Sequence, residues 1–161
     1  MRPSTDDLDD EQRTVLANIA EYGSHIVHTT MARHGTPYAY TIGLTHRFGH
    51  PEIVICGLDE AQAESLLELV TEDVAEGKRF EPGRDYDGLL HGYPAKFRAL
   101  SAVRVAEYLG VARWAYDGAP FTALQLFWPD KQGRFPWHPD VRERFKELQQ
   151  VLGEDPAPGG A

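Results

Sequence analysis

Three short apolar runs lie close together near the start of the chain: His25–Thr30, Tyr38–Leu44 and Glu52–Gly57. They are rich in β-branched and aromatic residues, which suit a pleated, half-buried surface. The links between them are short and carry turn residues, as in Arg33-His34-Gly35-Thr36-Pro37. Parallel pairing of neighbours requires a crossover of about a dozen residues or more. These strands are therefore expected to form an antiparallel meander, and the rest of the domain must pack against it.

The stretch after the meander alternates helices with further strands. Asp59 is placed to cap a helix running to Gly77, with Ala63, Leu66, Leu67, Val70 and Val74 on one face. Glu60, Glu64, Glu68, Glu72 and Glu76 form an acidic opposite face. Before the meander, Ser4 or Thr5 is expected to cap a helix that Gly23 stops, with Asp6, Asp7, Asp9 and Asp10 in its first turn. Lys78–Tyr93 mixes Gly and Pro with aromatics and charges and reads as a long ordered loop. Ala95–Leu100 and Phe121–Trp128 read as strands. Between them a helix from Ser101 to about Tyr116 is weakened by Gly110. A short helix over Val141–Leu152 closes the domain. The expected organisation is a frayed 1–4, a single domain over 5–152 and a disordered tail over 153–161. The fold class is α+β: a mostly antiparallel, split-barrel-like sheet of five or six strands with peripheral helices.

Composition narrows the functional classes. At 161 residues with 42% hydrophobic and 25% charged residues, the chain suits one soluble domain. Its net charge of −9 argues against wrapping a nucleic-acid backbone, although a local basic cluster could still hold one or two phosphates. Cys56 is the single cysteine, so an intrachain disulfide is excluded and a thiolate zinc site is not expected. No apolar run reaches membrane-spanning length, and the N-terminus lacks a signal-peptide core. The cytoplasm is the default location, and a homodimer is compatible with such a domain. Internal repeats, a Gly-x-Ser-x-Gly elbow, a Walker loop and a Gly-x-Gly-x-x-Gly pattern are all absent.

Chemistry-bearing residues gather between the second and third strands, where Thr45, His46, Arg47, His50 and Glu52 share one loop. His46 and His50 are four residues apart, which on a helix would place two metal ligands on one face. Gly49 and Pro51 argue instead for a loop, with Glu52 as the nearest carboxylate. Period-two alternation puts Tyr40, Ile42 and Leu44 on one strand face and Thr41, Gly43 and Thr45 on the other. Trp128 and Trp137, beside turns at a strand end, could wall a pocket for a flat ligand.

Tyr40-Thr41-Ile42-Gly43-Leu44-Thr45 and Gly49-His50-Pro51-Glu52-Ile53-Val54 also carry a resemblance. With Gly77-x-x-Phe80-x-Pro82-Gly83, Gly92-Tyr93-Pro94 and Phe135-Pro136-Trp137, the chain resembles the bacterial family of domains of unknown function 4262 over about residues 8–140. A weaker similarity, in element order around Thr41–Gly57, is to flavin reductase-type split barrels. That likeness implies that Thr41, Thr45 and Arg47 hold the phosphate of FMN or a related flavin, with the ring elsewhere. The preferred expectation is thus a small-molecule-binding protein for a flavin or related nucleotide, with redox chemistry on the cofactor. The alternatives are a metal-dependent enzyme using His46 and His50, and a non-catalytic module whose acidic helix meets a basic partner.

Overall fold

A computed structural model describes residues 7–32 and 35–156. Strands β1 (His25–Thr30), β2 (Pro37–Ile42) and β3 (Glu52–Cys56) form the expected antiparallel meander, with Val27 opposite Tyr40 and Tyr40 opposite Val54. Two further strands, β4 (Asp85–Leu90) and β5 (Tyr93–Ala99), make a hairpin, and β6 (Ala123–Phe127) joins the halves. The sheet has six strands in the order β1-β2-β3-β6-β5-β4, antiparallel except where β3 and β6 run parallel. It is open, with β1 and β4 at its edges.

The central pair explains the composition of its own strands. A strand covered on both faces reads as a continuous apolar run. All five residues of β3 and all five of β6 are buried. One face of the sheet meets helix α3 (Glu60–Ala75), whose Ala63, Leu67 and Val70 pack with Ala39, Ile53, Ile55, Leu124 and Leu126. The other face meets α1 (Asp10–Tyr22), α4 (Ala102–Tyr108) and α5 (Gly110–Ala115). There Val15, Leu109 and Ala112 pack with Tyr40, Ile42 and Val54. Each fully buried leucine or isoleucine contributes about 1.5–3 kcal/mol, so these two layers supply most of the driving force.

Several elements depart from expectation for local reasons. Helix α1 begins at Asp10 because Asp9 caps it: the Gln12 amide donates to Asp9 Oδ1 at 2.7 Å and the Gln12 side chain accepts from the Asp9 amide at 3.1 Å. Ser4 and Thr5 lie outside the described residues, as do Arg33 and His34. Strand β4 stands where a loop was expected. It is an edge strand with a register shift between Tyr86 and Leu90, so its alternation is broken and only Leu89 is buried. The helix from Ser101 divides into α4 and α5 at Leu109, next to Gly110.

Beyond β6, the last helix, α6 (Glu143–Leu148), is shorter than expected, and the chain after it is strapped to the sheet. Gln149 acts as a substitute strand, accepting from the Trp128 amide at 2.9 Å and donating to its carbonyl at 2.7 Å. Buried Gln125 then holds the Leu152 and Gly153 amides at 2.7 and 3.0 Å, and the Glu154 amide reaches the Ala99 carbonyl at 2.8 Å. The packed chain thus runs on into the segment expected as a tail. No helix among the described residues is long and apolar enough to cross a membrane.

Candidate functional site

Strand β2 ends at Ile42 because Gly43 takes a left-handed conformation (φ 118°) and starts a short helix, α2 (Leu44–Phe48). The polar segment expected as a loop is therefore helical at its start, and Leu44 leaves the strand alternation. It packs on the α3 side, whereas Tyr40 and Ile42 face α1 and α5. The first amides of α2 need acceptors, as every helix start does. Glu52, at the head of β3, provides them.

Glu52 is fully buried and surrounded by donors. Its Oε1 accepts from Thr41 Oγ1 at 2.8 Å and from the Leu44 amide at 3.2 Å. Its Oε2 accepts from the Thr45 amide at 3.0 Å, the Gly43 amide at 3.3 Å and the Tyr116 hydroxyl at 2.5 Å. Tyr116 in turn accepts from the Gly43 and His46 amides, and Thr41 Oγ1 accepts from the Ile53 amide. Burial raises the pKa of Glu52 above the ordinary carboxylate value, against the lowering effect of the hydrogen bonds from Tyr116, Thr45 and Thr41. A carboxylate with no exposure and both oxygens occupied cannot meet a substrate. It fastens β2, α2, β3 and the end of α5 together.

The histidines separate. His46 is exposed on α2, while His50 is buried. His50 Nδ1 donates to the Pro51 carbonyl at 2.8 Å, which leaves Nε2 to accept from the Phe80 amide at 3.0 Å. Both ring nitrogens are engaged by backbone, and the ring meets Phe80 edge-on. The pair is not assembled as a ligand set. Burial is the main reason His50 is less basic than an ordinary histidine, and the nearby Arg79 charge adds to it. A lowered pKa means that the folded state resists a proton which the unfolded chain accepts. The stability supplied by neutral His50 is therefore complete above the ordinary value near 6.5 and lost as pH falls below it. Unfolding free energy should decline from about pH 7 to about pH 5.5, and less so in His50→Gln. His25 is also lowered by burial, so the difference between the two proteins, measured by chemical denaturation, isolates His50.

The expected phosphate-binding residues turn to different partners. Thr41 is buried against Glu52, and Thr45 Oγ1 donates to the His50 carbonyl at 2.9 Å. Arg47 is exposed and lies against Gly23, with its guanidinium 5.7 Å from the Phe48 ring centre. The two tryptophans also part. Trp128 donates from Nε1 to the Cys56 carbonyl at 3.0 Å and meets Phe145 edge-on. Cys56 itself is fully buried, and burial pushes its thiol up to about 12, the behaviour of an inert core cysteine.

Trp137 sits elsewhere, stacked on Phe135 and 38% exposed. The Arg98 guanidinium lies 3.6 Å from its ring centre, a cation–π contact. A cleft of about 200 Å³ opens beside this pair. Lys96 and Arg98 from β5 face it, with Arg84 and Gly83 before β4 and Asp155 and Pro156 from the C-terminal strap. Lys96 is paired with Asp85 at 2.5 Å, and Arg84 stands 4.0 Å from Glu81. The sequence marks Trp137 as a pocket wall but not the cations beside it, although Lys96 and Arg98 alternate with apolar Ala95, Phe97 and Ala99 along their strand.

Architecture and site together define an α+β protein with an open mixed sheet, a buried carboxylate fastener and a small cleft lined by three cations and two carboxylates. The family model described as Domain of unknown function (DUF4262) matches residues 18–142, and the chain belongs to that family. Comparison with curated proteins and with solved structures returns no match.

Proposed function

We propose that the protein binds a small ligand through an anionic group, phosphate or carboxylate, seated in the cleft beside Arg98 and Trp137. The observation that carries this reading is the convergence of Arg84, Lys96 and Arg98 on one cleft, against Asp85 and Asp155, in a chain whose net charge is −9. An acidic protein repels anions at long range, so an anionic ligand needs local cations, and here it would compete for them with Glu81, Asp85 and Asp155. Stacking on Trp137 uses the face of the Arg98 guanidinium, and the N–H edge is the part that pairs with phosphate or carboxylate. Two segments carrying the family resemblance, at Pro82-Gly83 and Phe135-Pro136-Trp137, contribute Gly83 and Trp137 to the walls.

Drug-sized ligands usually occupy about 300–1,000 Å³, so a cleft of about 200 Å³ suits a head group. A flavin mononucleotide would seat its phosphate there and leave its ring at the mouth, since Phe135 and Arg98 already stack on Trp137. Any hydride chemistry would then be the flavin's own. In fluorescence titrations FMN should bind more tightly than riboflavin, and inorganic phosphate should compete with it. Arg98→Gln should weaken FMN by about 10–100-fold, the effect of losing a charged hydrogen-bond donor. Arg47→Ala should leave it unchanged. Equal affinity for FMN and riboflavin, or no binding of FMN and phosphate at millimolar concentration, would defeat the proposal.

A further inference from the structure

At the opposite edge of the sheet, β1 carries His28 towards the first turn of α3. His28 Nε2 stands 3.3 Å from Glu64 Oε2. Glu60 lies one helical turn before Glu64 on the same face, and the ligand atoms of all three side chains fall within 4.8 Å of one another. Neither glutamate is needed to cap the helix, because the Asp59 side chain already accepts from the Gln62 amide at 2.8 Å. His28 and Glu60 also line a cleft of about 210 Å³, with Thr30, Tyr38 and Leu58.

We propose that His28, Glu60 and Glu64 form a mononuclear site for a divalent transition metal, zinc foremost, with its fourth position open to this cleft. The donor set is one imidazole nitrogen and two carboxylate oxygens, which zinc accepts at about 2.0–2.2 Å in tetrahedral array. Two donors at that distance from one tetrahedral ion stand about 3.3–3.6 Å apart. The His28–Glu64 separation of 3.3 Å already has that length. Glu60 is exposed, so rotation of its side chain can close the remaining gap. Three protein ligands and one open position are the arrangement of zinc sites that bind water or substrate. The cleft supplies the room, and the strand and the helix fix the ligands from two separate elements.

A histidine–glutamate ion pair would show the same 3.3 Å distance without binding metal, so the test must read the metal itself. The full chain, stripped with a chelator, is titrated with zinc by calorimetry and with cobalt by visible absorbance. One equivalent of zinc should bind, and cobalt should give the intense bands of four-coordination. His28→Gln and the double variant E60Q/E64Q should each weaken zinc at least tenfold, since loss of even an outer-shell partner costs about 10–100-fold. H46Q should bind as the wild type does. Thermal midpoints without metal, unchanged in the variants, establish that they fold. FMN titration of His28→Gln should match the wild type, which keeps this site separate from the Arg98 cleft. Absence of stoichiometric zinc binding overturns the site. So does binding that survives both sets of ligand substitutions.

Discussion

Glu52→Gln should cost about 2–6 kcal/mol of unfolding free energy, the cost of leaving at least two buried donors without an acceptor. The reason lies in the direction of the hydrogen bonds. Thr41, Leu44, Gly43, Thr45 and Tyr116 all donate to the two carboxylate oxygens. An amide replaces one oxygen with a donor, so either orientation sets an NH2 group against two or three donors; the Gly43 amide keeps the Tyr116 hydroxyl as an acceptor, and the others lose theirs. Each buried donor left unsatisfied costs about 1–3 kcal/mol. Against a typical net stability of about 5–15 kcal/mol, the variant would be marginal. Tyr116→Phe should cost less, because the Gly43 amide keeps Glu52 Oε2 as an acceptor and only the His46 amide loses the hydroxyl it donates to. The double variant should lose less than the sum of the two, as coupled neighbours do. Urea denaturation of the four proteins at neutral pH measures this cycle directly. A loss below about 1 kcal/mol for Glu52→Gln would show that the network is not the fastener described.

The same substitution has a pH signature. Because the folded state raises the pKa of Glu52, it holds that proton more tightly than the unfolded chain does. The proton-linked part of its contribution is greatest below the ordinary carboxylate value and is lost as pH rises through the raised one, while the part that comes from accepting hydrogen bonds remains at neutral pH. The slope from Glu52 therefore opposes that from His50, whose contribution is lost on acidification. Glu52→Gln should remove the first and keep the second.

The sheet was legible wherever burial was two-sided or alternation clean. Continuous apolar runs such as Ile53–Cys56 and the Ala95–Phe97–Ala99 alternation mark β3 and β5 without ambiguity. Strand β4 escaped because it is an exposed edge with a bulge, and Gly88 within it reads as a breaker. Helix α2 escaped because five residues cannot display a helical period. Its only local signal is the pair Gly43 and Gly49, both left-handed, one opening and one closing it.

The chemistry was harder to place than the fold. The segment Thr45–Glu52 is rich in ionisable groups, yet Thr41, Thr45, His50 and Glu52 satisfy one another and the backbone. Polar density there meets the cost of burying a helix start. The exposed clusters are assembled across long separations instead. Arg98 meets Trp137 because β5 lies beside β6 and the chain after β6 brings Trp137 to it, and His28 meets Glu64 because α3 crosses back over β1. No spacing rule reaches such pairs, since they depend on strand order.

Gly43→Ala should destabilise by about 2–6 kcal/mol, two independent costs acting at one atom. Gly43 has φ 118°, a conformation that side-chain-bearing residues rarely adopt, and such strain costs about 1–3 kcal/mol. A Cβ there would also stand 2.5 Å from the Gly23 carbonyl oxygen and 3.0 Å from Ser24 Cα. Both are backbone atoms, so no side chain can swing aside, and overpacking of this kind adds about 1–3 kcal/mol. Relief would require the turn between α1 and β1 to move away from the β2–α2 junction. That movement would pull the Gly43 amide from Glu52 and Tyr116, so the damage should spread to the fastener. Gly49→Ala is the control: it is also left-handed, at φ 64°, but a Cβ there meets nothing within 4 Å. It should lose only the conformational part, about 1 kcal/mol. Chemical denaturation of the two variants separates strain from collision. Equal losses at both glycines would mean that the approach of Gly23 to Gly43 carries no weight in the fold.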